Sequence, residues 1–330
     1  MQEAPSSCTF AVASCAYAIS ADGSATALDR LPAAGTTPDA AFVWTHLHVQ
    51  QPGAREWLLD DVGLDVTVVE ALLAEDTRPR AVIKKNGIMA VFRAMNLHGG
   101  ESPEDMISLR MWIDAHRVIT CRQRDIKAIE DIHRLIAEGK APTTTGDFLQ
   151  SITSRVFARM EPIVEELEDN IAAVEERMVL GEDTDFGESL FPLRKRLTIF
   201  RRYVTPQKLV LQKLHEERIT CLCSENQQHF GEELDRVTRY IEELDELASR
   251  MQILNEELRN AHAERLNDLT YVFSVVATVF LPLGFLTGLL GINVGGVPAA
   301  NHPYGFWLFT ALCITVSGIL LIAFKKFKWF

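Results

Sequence analysis

The last part of the chain lacks charge: residues 269–324 contain no Asp, Glu, Lys or Arg. Two apolar runs lie within this stretch, 271–290 and 304–324. As a helix rising about 1.5 Å per residue, each run would cross the roughly 30 Å hydrocarbon layer of a bilayer. Soluble core helices rarely stay uncharged over such a length, and two in tandem exclude an ordinary soluble domain. We therefore predict that both runs span a membrane.

The connector between the runs lacks Lys and Arg, and it is too rich in Gly and Pro to continue a helix. Basic residues flank the runs on the other side, namely Arg259 and Arg265 before the first and Lys325, Lys326 and Lys328 after the second. Cytoplasmic flanks of membrane helices carry an excess of Lys and Arg. We therefore predict that both termini are cytoplasmic, with an external loop at 292–303 and a basic cytoplasmic tail at 325–330.

Several protein classes are disfavoured by what the sequence does not contain. Its six cysteines show no spacing typical of a secreted disulfide framework, so we expect them to be reduced in a cytoplasmic body. The net charge of −12 argues against a nucleic-acid partner and is compatible with attraction of divalent cations. No phosphate loop, positioned nucleophile or strong metalloenzyme motif is present, so we predict neither an enzyme nor a catalytic cofactor.

The first 141 residues have the alternating pattern of a mixed domain, which we predict to be an α+β cytoplasmic domain. Strands are predicted at 9–19 and 24–28 around an Asp-Gly turn, at 41–49, at 80–97 around Asn86 and Gly87, and at 107–121. Helical spacing of apolar residues predicts one helix over 56–75 and another over 125–138.

From residue 142 onward the pattern is that of long helices. An acidic helix is predicted at 148–178 and a basic one after a break at 181–187, so residues 142–231 are predicted to form an antiparallel helical hairpin. The charges would equally suit two solvated faces, because exposed ion pairs contribute only about 0–1 kcal/mol each. Heptad spacing and the absence of Gly and Pro from 232 to 281 predict a coiled-coil stalk over 232–291, continuous with the first span.

One face of this predicted helix carries small or mildly polar residues at spacings of three and four. We call it the small-residue stripe, and it consists of Asn267, Thr270, Ser274, Ala277, Leu281, Gly284 and Gly288. Such a stripe is typical of close helix packing in membranes. It is also typical of a pore wall, in which Leu281 would be the one bulky apolar constriction.

The end of the first run carries a family resemblance. Gly291, Ile292 and Asn293 stand before a second span and a Lys-rich tail, an arrangement that resembles the CorA family of divalent-cation channels. With Ile292 in the place of Met and an uncharged connector, the chain is more similar to the ZntB branch, which is associated with zinc transport. The resemblance implies a CorA-like homopentameric funnel in a bacterial inner membrane, with the first spans inside and Gly291, Ile292 and Asn293 at the outer mouth.

The function implied by this resemblance is transport of Zn²⁺, with Co²⁺, Ni²⁺ and Cd²⁺ as further candidates and uptake aided by the proton gradient. Neutral oxygens at the mouth would select a hydrated dication weakly, through its water shell. Two alternatives stay open. One is a CorA-like Mg²⁺/Co²⁺ channel, and the other is a membrane-tethered metal sensor or scaffold without flux.

Several other residues are candidate metal ligands. Two thiols and two imidazoles, on His215, Cys221, Cys223 and His229, are the ligand types that Zn²⁺ prefers, although they would not all converge on one continuous helix. The resemblance implies regulatory cations at Glu232 and Glu256, which would otherwise be the polar face of a coiled coil. His302, near the outer mouth, is a candidate proton shuttle or a solvated turn residue.

Overall fold

The computed structural model describes residues 15–29, 40–75, 77–100, 102–181, 186–291 and 303–326. The chain divides into two compact units, Met1–Ile253 and Leu254–Phe330. The first unit holds all the strands described and most of the helices. The second holds the apolar part of the first membrane-spanning candidate and the whole of the other, so the predicted combination of an α+β domain, a long helix and two apolar segments is confirmed.

A mixed seven-stranded sheet forms the centre of the first unit, in the order β2-β1-β3-β7-β6-β5-β4. Neighbouring strands are antiparallel except β3 and β7, which pair in parallel at the middle of the sheet. The strands run β1 Cys15–Ile19, β2 Ala25–Ala27, β3 Phe42–His48, β4 Arg80–Lys84, β5 Gly87–Ala94, β6 Ile107–Asp114 and β7 Arg117–Arg122. Each strand predicted in the described residues is present, because alternation and turn residues specified it locally.

Helices cover both faces of the sheet. On one face, α1 (Ala54–Glu56) and α2 (Val66–Leu73) enclose an apolar cluster that includes Leu58, Leu72 and Trp112. On the other face, α3 (Lys127–Ala137) and α4 (Thr145–Ala158) lie over the sheet, and Phe148 of α4 packs edge-on against Phe42 of β3. Both faces are therefore buried, as the apolar runs of the central strands require.

The helix predicted over 56–75 is wrong as a single element. After α1 the chain makes a π-helical turn, Trp57–Asp61, and Gly63 then takes the left-handed backbone conformation at φ 74°. A new helix starts at α2, where the Asp65 side chain accepts a hydrogen bond from the backbone N–H of Thr67 at 2.8 Å. The capping Asp and the positive-φ Gly outweighed the apolar periodicity.

The acidic helix predicted over 148–178 is likewise two helices, α4 and α5 (Glu161–Val179). The break falls at Arg159 and Met160, just before a proline in the first turn of α5, where proline is well tolerated. The basic helix is α6 (Phe186–Glu216), and its Arg196 binds Glu166 of α5 at 2.9 Å. This pair is one contact of the kind predicted between the acidic and basic helices.

The longest element is α7, Ser224–Leu290, followed by α8, Gly305–Lys326. The residues of the predicted stalk and first span up to Leu290 form this one helix, and α7 begins eight residues before the predicted start at residue 232. It also continues through Pro282. Proline has no N–H to offer the carbonyl of Thr278 four residues earlier, so α7 lacks one helical hydrogen bond at this point.

Gly87, at the start of β5, permits an approach of backbones that a side chain would prevent. An added Cβ would lie 2.4 Å from the carbonyl oxygen of Ile113 and 2.8 Å from the Trp112 ring. We predict that Gly87→Ala lowers the free energy of unfolding by about 1–3 kcal/mol, the usual cost of overpacking. Urea unfolding followed by tryptophan fluorescence measures this. Gly99→Ala, where a Cβ would meet nothing within 4 Å, is the control and should change stability little.

An ion pair between α5 and α7 gives a pH-dependent prediction. Arg250 Nε donates to Glu175 Oε1 at 2.9 Å, and this hydrogen bonding lowers the pKa of Glu175 from its ordinary 4.5. The stabilisation is therefore present above pH 4.5 and is lost as the pH falls through the lowered pKa. We expect Glu175→Gln to cost up to about 1 kcal/mol near pH 7 and to cost progressively less below pH 4.5. Glu176→Gln, at the exposed neighbouring position, should show no such trend.

Candidate ion pathway and metal-binding residues

The small-residue stripe lies along one side of α7 and is exposed throughout in the single chain. The half-buried positions of the same segment fall on a different side of the helix, and they are Tyr271, Val275, Thr278, Val279, Pro282, Leu283 and Leu286. The stripe is thus part of the surface of α7 that the chain itself leaves uncovered. Whatever contacts it must come from another subunit, from lipid or from water.

The two hydroxyl-bearing residues of the stripe bond to their own helix. Thr270 Oγ1 donates to the Leu266 carbonyl and Ser274 Oγ donates to the Thr270 carbonyl, each at 2.8 Å. Because each hydroxyl hydrogen is used in this way, the oxygen lone pairs remain outward as acceptors. Such oxygens can accept hydrogen bonds from the water shell of a cation.

Leu281 is the bulky member of the stripe, and its side chain is 71% exposed. One turn and two turns further on, Gly284 and Gly288 stand where an added Cβ would meet no described atom within 4 Å. Packing within the chain therefore does not require glycine at either position. Glycine at these two positions would instead be required by the close approach of another helix or by an open passage beside α7.

Of the three residues predicted at the outer mouth, the structure describes Gly291. The backbone N–H of Gly291 donates to the Thr287 carbonyl at 2.9 Å, which closes the last turn of α7. Ile292, Asn293 and His302 lie outside the described residues. Their roles at the mouth therefore stay predictions.

The predicted zinc ligands lie at the end of α6, in the turn after it and at the start of α7, and they have separate partners. His215 Nδ1 lies 2.8 Å from the Gln227 carbonyl, and its ring packs where a Cβ on Gly231 would come within 3.0 Å. The Cys223 thiol donates to Asn226 Oδ1 at 3.1 Å. Burial raises the pKa of the Cys221 thiol to about 11, which keeps it protonated and unsuited to bind a metal ion near neutral pH.

His229 belongs to a different network from the other three ligands. The Ser154 hydroxyl donates to Glu233 Oε1 at 2.8 Å, and Ser154 Oγ lies 2.6 Å from His229 Nε2. Since the hydroxyl hydrogen goes to Glu233, the histidine nitrogen donates to Ser154 and is not available to a metal. Across the described residues, no group of three or more His, Cys, Asp or Glu side chains is placed to hold a metal ion. The structure thus does not assemble the predicted zinc site.

The two predicted regulatory acids, Glu232 and Glu256, are both exposed. Glu232 is 68% exposed at its side chain and lies 3.6 Å from His229 Nδ1, while Glu256 is exposed on the part of α7 that belongs to the second unit. Sequence reasoning missed their neighbour Glu233, which is 1% exposed and also contacts Arg236 at 3.3 Å. The heptad pattern did not indicate that Glu233 is buried in a hydrogen-bond network, because its partner Ser154 lies 79 residues earlier in the chain.

The helices of the second unit show large apolar side chains to their surroundings. Phe273, Phe280 and Phe285 of α7 and Phe306 and Trp307 of α8 are all at least 67% exposed. A soluble protein rarely shows so much contiguous apolar surface, whereas a bilayer would cover it. Together with the uncharged sequence of both segments, this surface defines an integral membrane protein.

A family model described as CorA-like Mg²⁺ transporter protein matches residues 39–326, which is most of the chain. The chain belongs to the CorA family, whose members transport divalent cations and are not enzymes. The predicted family membership is therefore confirmed.

Named relatives fall in two groups. The divalent cation transporter CmaX of Pseudomonas aeruginosa is 33% identical over 292 residues, which cover 87% of each chain. The zinc transport protein ZntB of Pectobacterium atrosepticum is 32% identical over 286 residues, again 87% of each chain. Relatives of the predicted zinc branch are therefore present, and so is one named for divalent cations in general.

Solved structures agree with the fold. The full-length CmaX structure aligns with a TM-score of 0.80 at 31% identity, covering 97% of this chain and 99% of that one. The CorA magnesium transporter of Methanocaldococcus jannaschii aligns with a TM-score of 0.74 at 23% identity, covering 96% and 98%. Both alignments extend over the soluble and the membrane parts.

Proposed function

We propose that the chain carries Zn²⁺ across the bacterial inner membrane, with Co²⁺, Ni²⁺ and Cd²⁺ as further cargo. The observation that carries this proposal is the exposed, uncharged stripe of α7, in which glycines and hydroxyl oxygens face away from the chain's own packing. An uncharged wall suits passage of a hydrated ion, because carboxylates would bind Zn²⁺ directly and slow its departure. The relatives named for zinc transport support the choice of ion.

The pathway needs several subunits, since two spans cannot enclose water. We propose a homopentamer in which the stripe of each α7 faces a central pore and α8 faces lipid. Residues 271–290 and 304–324 would be the spans, with residues 292–303 outside and both termini in the cytoplasm. Five copies of Asn293 would ring the outer mouth, and Gly291 and Ile292 would shape it.

Uptake driven in part by the proton gradient is the remaining element of the proposal. Neither span contains Asp or Glu, so a proton would have to move without an intramembrane carboxylate. His302 beside the mouth is the titratable candidate. A Mg²⁺/Co²⁺ channel is the second candidate function, favoured by the description of the matching family model.

Zinc entry into liposomes containing the purified protein tests the proposal. We expect Zn²⁺ uptake that increases when the outside is acidic and that persists in excess Mg²⁺, with protein-free liposomes as the control. Flux that ignores pH and is blocked by Mg²⁺ would assign the chain to the second candidate. If neither ion enters, the chain is a membrane-tethered sensor or scaffold and the transport proposal is wrong.

A further inference from the structure

Three arginines of the first unit surround a single carboxylate between α3 and α4. Asp131 and Arg134 lie about one turn apart on α3. Arg155 lies in the last turn of α4, and Arg159 is the residue that caps the end of that helix. Each of the three guanidinium groups has a nitrogen no more than 3.8 Å from an oxygen of Asp131. We call Arg134, Arg155 and Arg159 the arginine trio.

The Asp131 carboxylate forms hydrogen bonds with two members of the arginine trio and not with the third. Its Oδ1 accepts from Arg134 at 2.6 Å, and its Oδ2 accepts from Arg159. Arg155 Nε lies 3.8 Å from the same Oδ2, which is too long for a hydrogen bond. Arg155 donates instead to the carbonyl and the hydroxyl of Ser151, one turn earlier on α4. Among the described residues, Arg155 therefore has no hydrogen-bonded carboxylate.

The arginine trio has more positive charge than its carboxylate can balance. Three guanidinium groups face the one negative charge of Asp131, so two positive charges are in surplus. The neighbouring acids of this segment are each matched by a lysine, since Glu130 binds Lys127 at 2.8 Å and Glu138 binds Lys140 at 3.2 Å. The surplus is local, because the chain as a whole has a net charge of −12. General composition therefore does not account for it.

Partial burial makes this surplus charge unfavourable at Arg155. The Arg155 and Arg159 side chains are only 28% and 27% exposed. Burial lowers the pKa of the Arg155 guanidinium, and Asp131 counteracts this shift. The charges of Arg159 and Arg134 lower the same pKa further. Among the described residues, Arg134 Nη1 and Arg155 Nη2 have no hydrogen-bond partner, so a second anion could accept from both and stabilise the charged form.

We propose that the arginine trio binds a dianionic phosphate group, held by hydrogen bonds from Arg134 and Arg155 beside Asp131. A guanidinium group offers two parallel N–H donors that match the oxygens of phosphate, and such charge-assisted bonds are strong. A dianion would balance both surplus charges, whereas chloride would balance one. The bound group would join α3 to α4. Inorganic phosphate and the headgroup of phosphatidic acid share this chemistry, and the site does not depend on which cation the chain transports.

Isothermal titration calorimetry of the full-length protein in detergent tests the site without any measurement of flux. Inorganic phosphate is titrated at constant ionic strength and at a pH where it is a dianion, and mixed micelles containing phosphatidic acid are titrated in parallel. We expect saturable binding at one site per chain. Arg155→Gln and Arg134→Gln should each weaken it at least about tenfold, because a hydrogen bond to a charged group accounts for roughly that factor or more. Binding of phosphatidic acid alone, weakened by the same substitutions, would identify a lipid as the source of the phosphate group.

Asp131→Asn separates anion binding from a loss of folding, because the two effects have opposite signs. It removes the competing negative charge and keeps an acceptor oxygen, so we expect phosphate affinity to rise at least about threefold. Arg218→Gln, at an exposed arginine in the turn before α7, is the matched control and should leave binding unchanged. No binding of either probe to the wild type, or equal binding by wild type, Arg134→Gln and Arg155→Gln, would overturn the proposal. Either result leaves the liposome test of transport unaffected.

Discussion

Liposomes containing the Ala277→Leu variant are expected to take up Zn²⁺ at least about tenfold more slowly than those containing the wild type. Ala277 is an exposed member of the small-residue stripe, one turn before Leu281. A second leucine there would extend the apolar constriction of every subunit by one turn. A rise of only about 1.4 kcal/mol in the barrier to passage gives a tenfold loss of rate.

Ala311→Leu makes the same change at an exposed position of α8 and serves as the matched control. If α8 faces lipid, added apolar volume there should leave Zn²⁺ uptake close to the wild-type rate. Size-exclusion chromatography of both variants shows whether assembly is intact. Wild-type flux through a correctly assembled Ala277→Leu protein would show that the stripe is not the pathway.

Replacing Glu233 by alanine is expected to destabilise the first unit strongly. The Glu233 carboxylate is buried, accepts from Ser154 and contacts His229 and Arg236. Removing it leaves the half-buried Ser154 hydroxyl without its acceptor and takes the carboxylate away from Arg236 and His229. Breaking a buried hydrogen-bonded charge pair costs about 3–5 kcal/mol, and we expect a loss of free energy of unfolding near the lower figure because Arg236 can reach solvent.

Glu232→Ala is the control for this prediction, because the two residues are adjacent and the Glu232 side chain is 68% exposed. A surface change of this kind is usually within about 0.5 kcal/mol. Urea unfolding of the detergent-solubilised protein, followed by tryptophan fluorescence, compares the two variants. Equal stability losses would show that the contacts of Glu233 contribute no more than a surface charge does.

Local patterns in the sequence were sufficient for most elements of the fold. The strand pairs around Asn86 and Gly87 and the hairpin around Gly23 follow from turn residues and alternation, which act over a few positions. The long α7 follows from continuous heptads. The errors lay where two local signals competed, as at Gly63, where periodicity indicated one helix and the backbone requirement of the turn broke it.

The candidate sites divide in a similar way. The small-residue stripe is visible in the sequence because its members share one helix and one spacing. The Ser154–His229–Glu233 network joins residues from different elements, and only the fold brings them together. A compact group such as His215, Cys221, Cys223 and His229 is close in sequence, yet its side chains have separate partners. Proximity along the chain is therefore a poor guide to ligation when a turn and two helices intervene.

The parallel pairing of β3 with β7 sets an order of events during synthesis. The centre of the sheet cannot form until residue 122 has left the ribosome. The reason is that β3 pairs with β7, which is synthesised much later. The first apolar run emerges later still, on the order of ten seconds afterwards at about 5–20 residues per second. The α+β domain thus has time to fold before a hydrophobic segment engages the insertion machinery. A truncated chain ending before α7 offers a means of following that step alone.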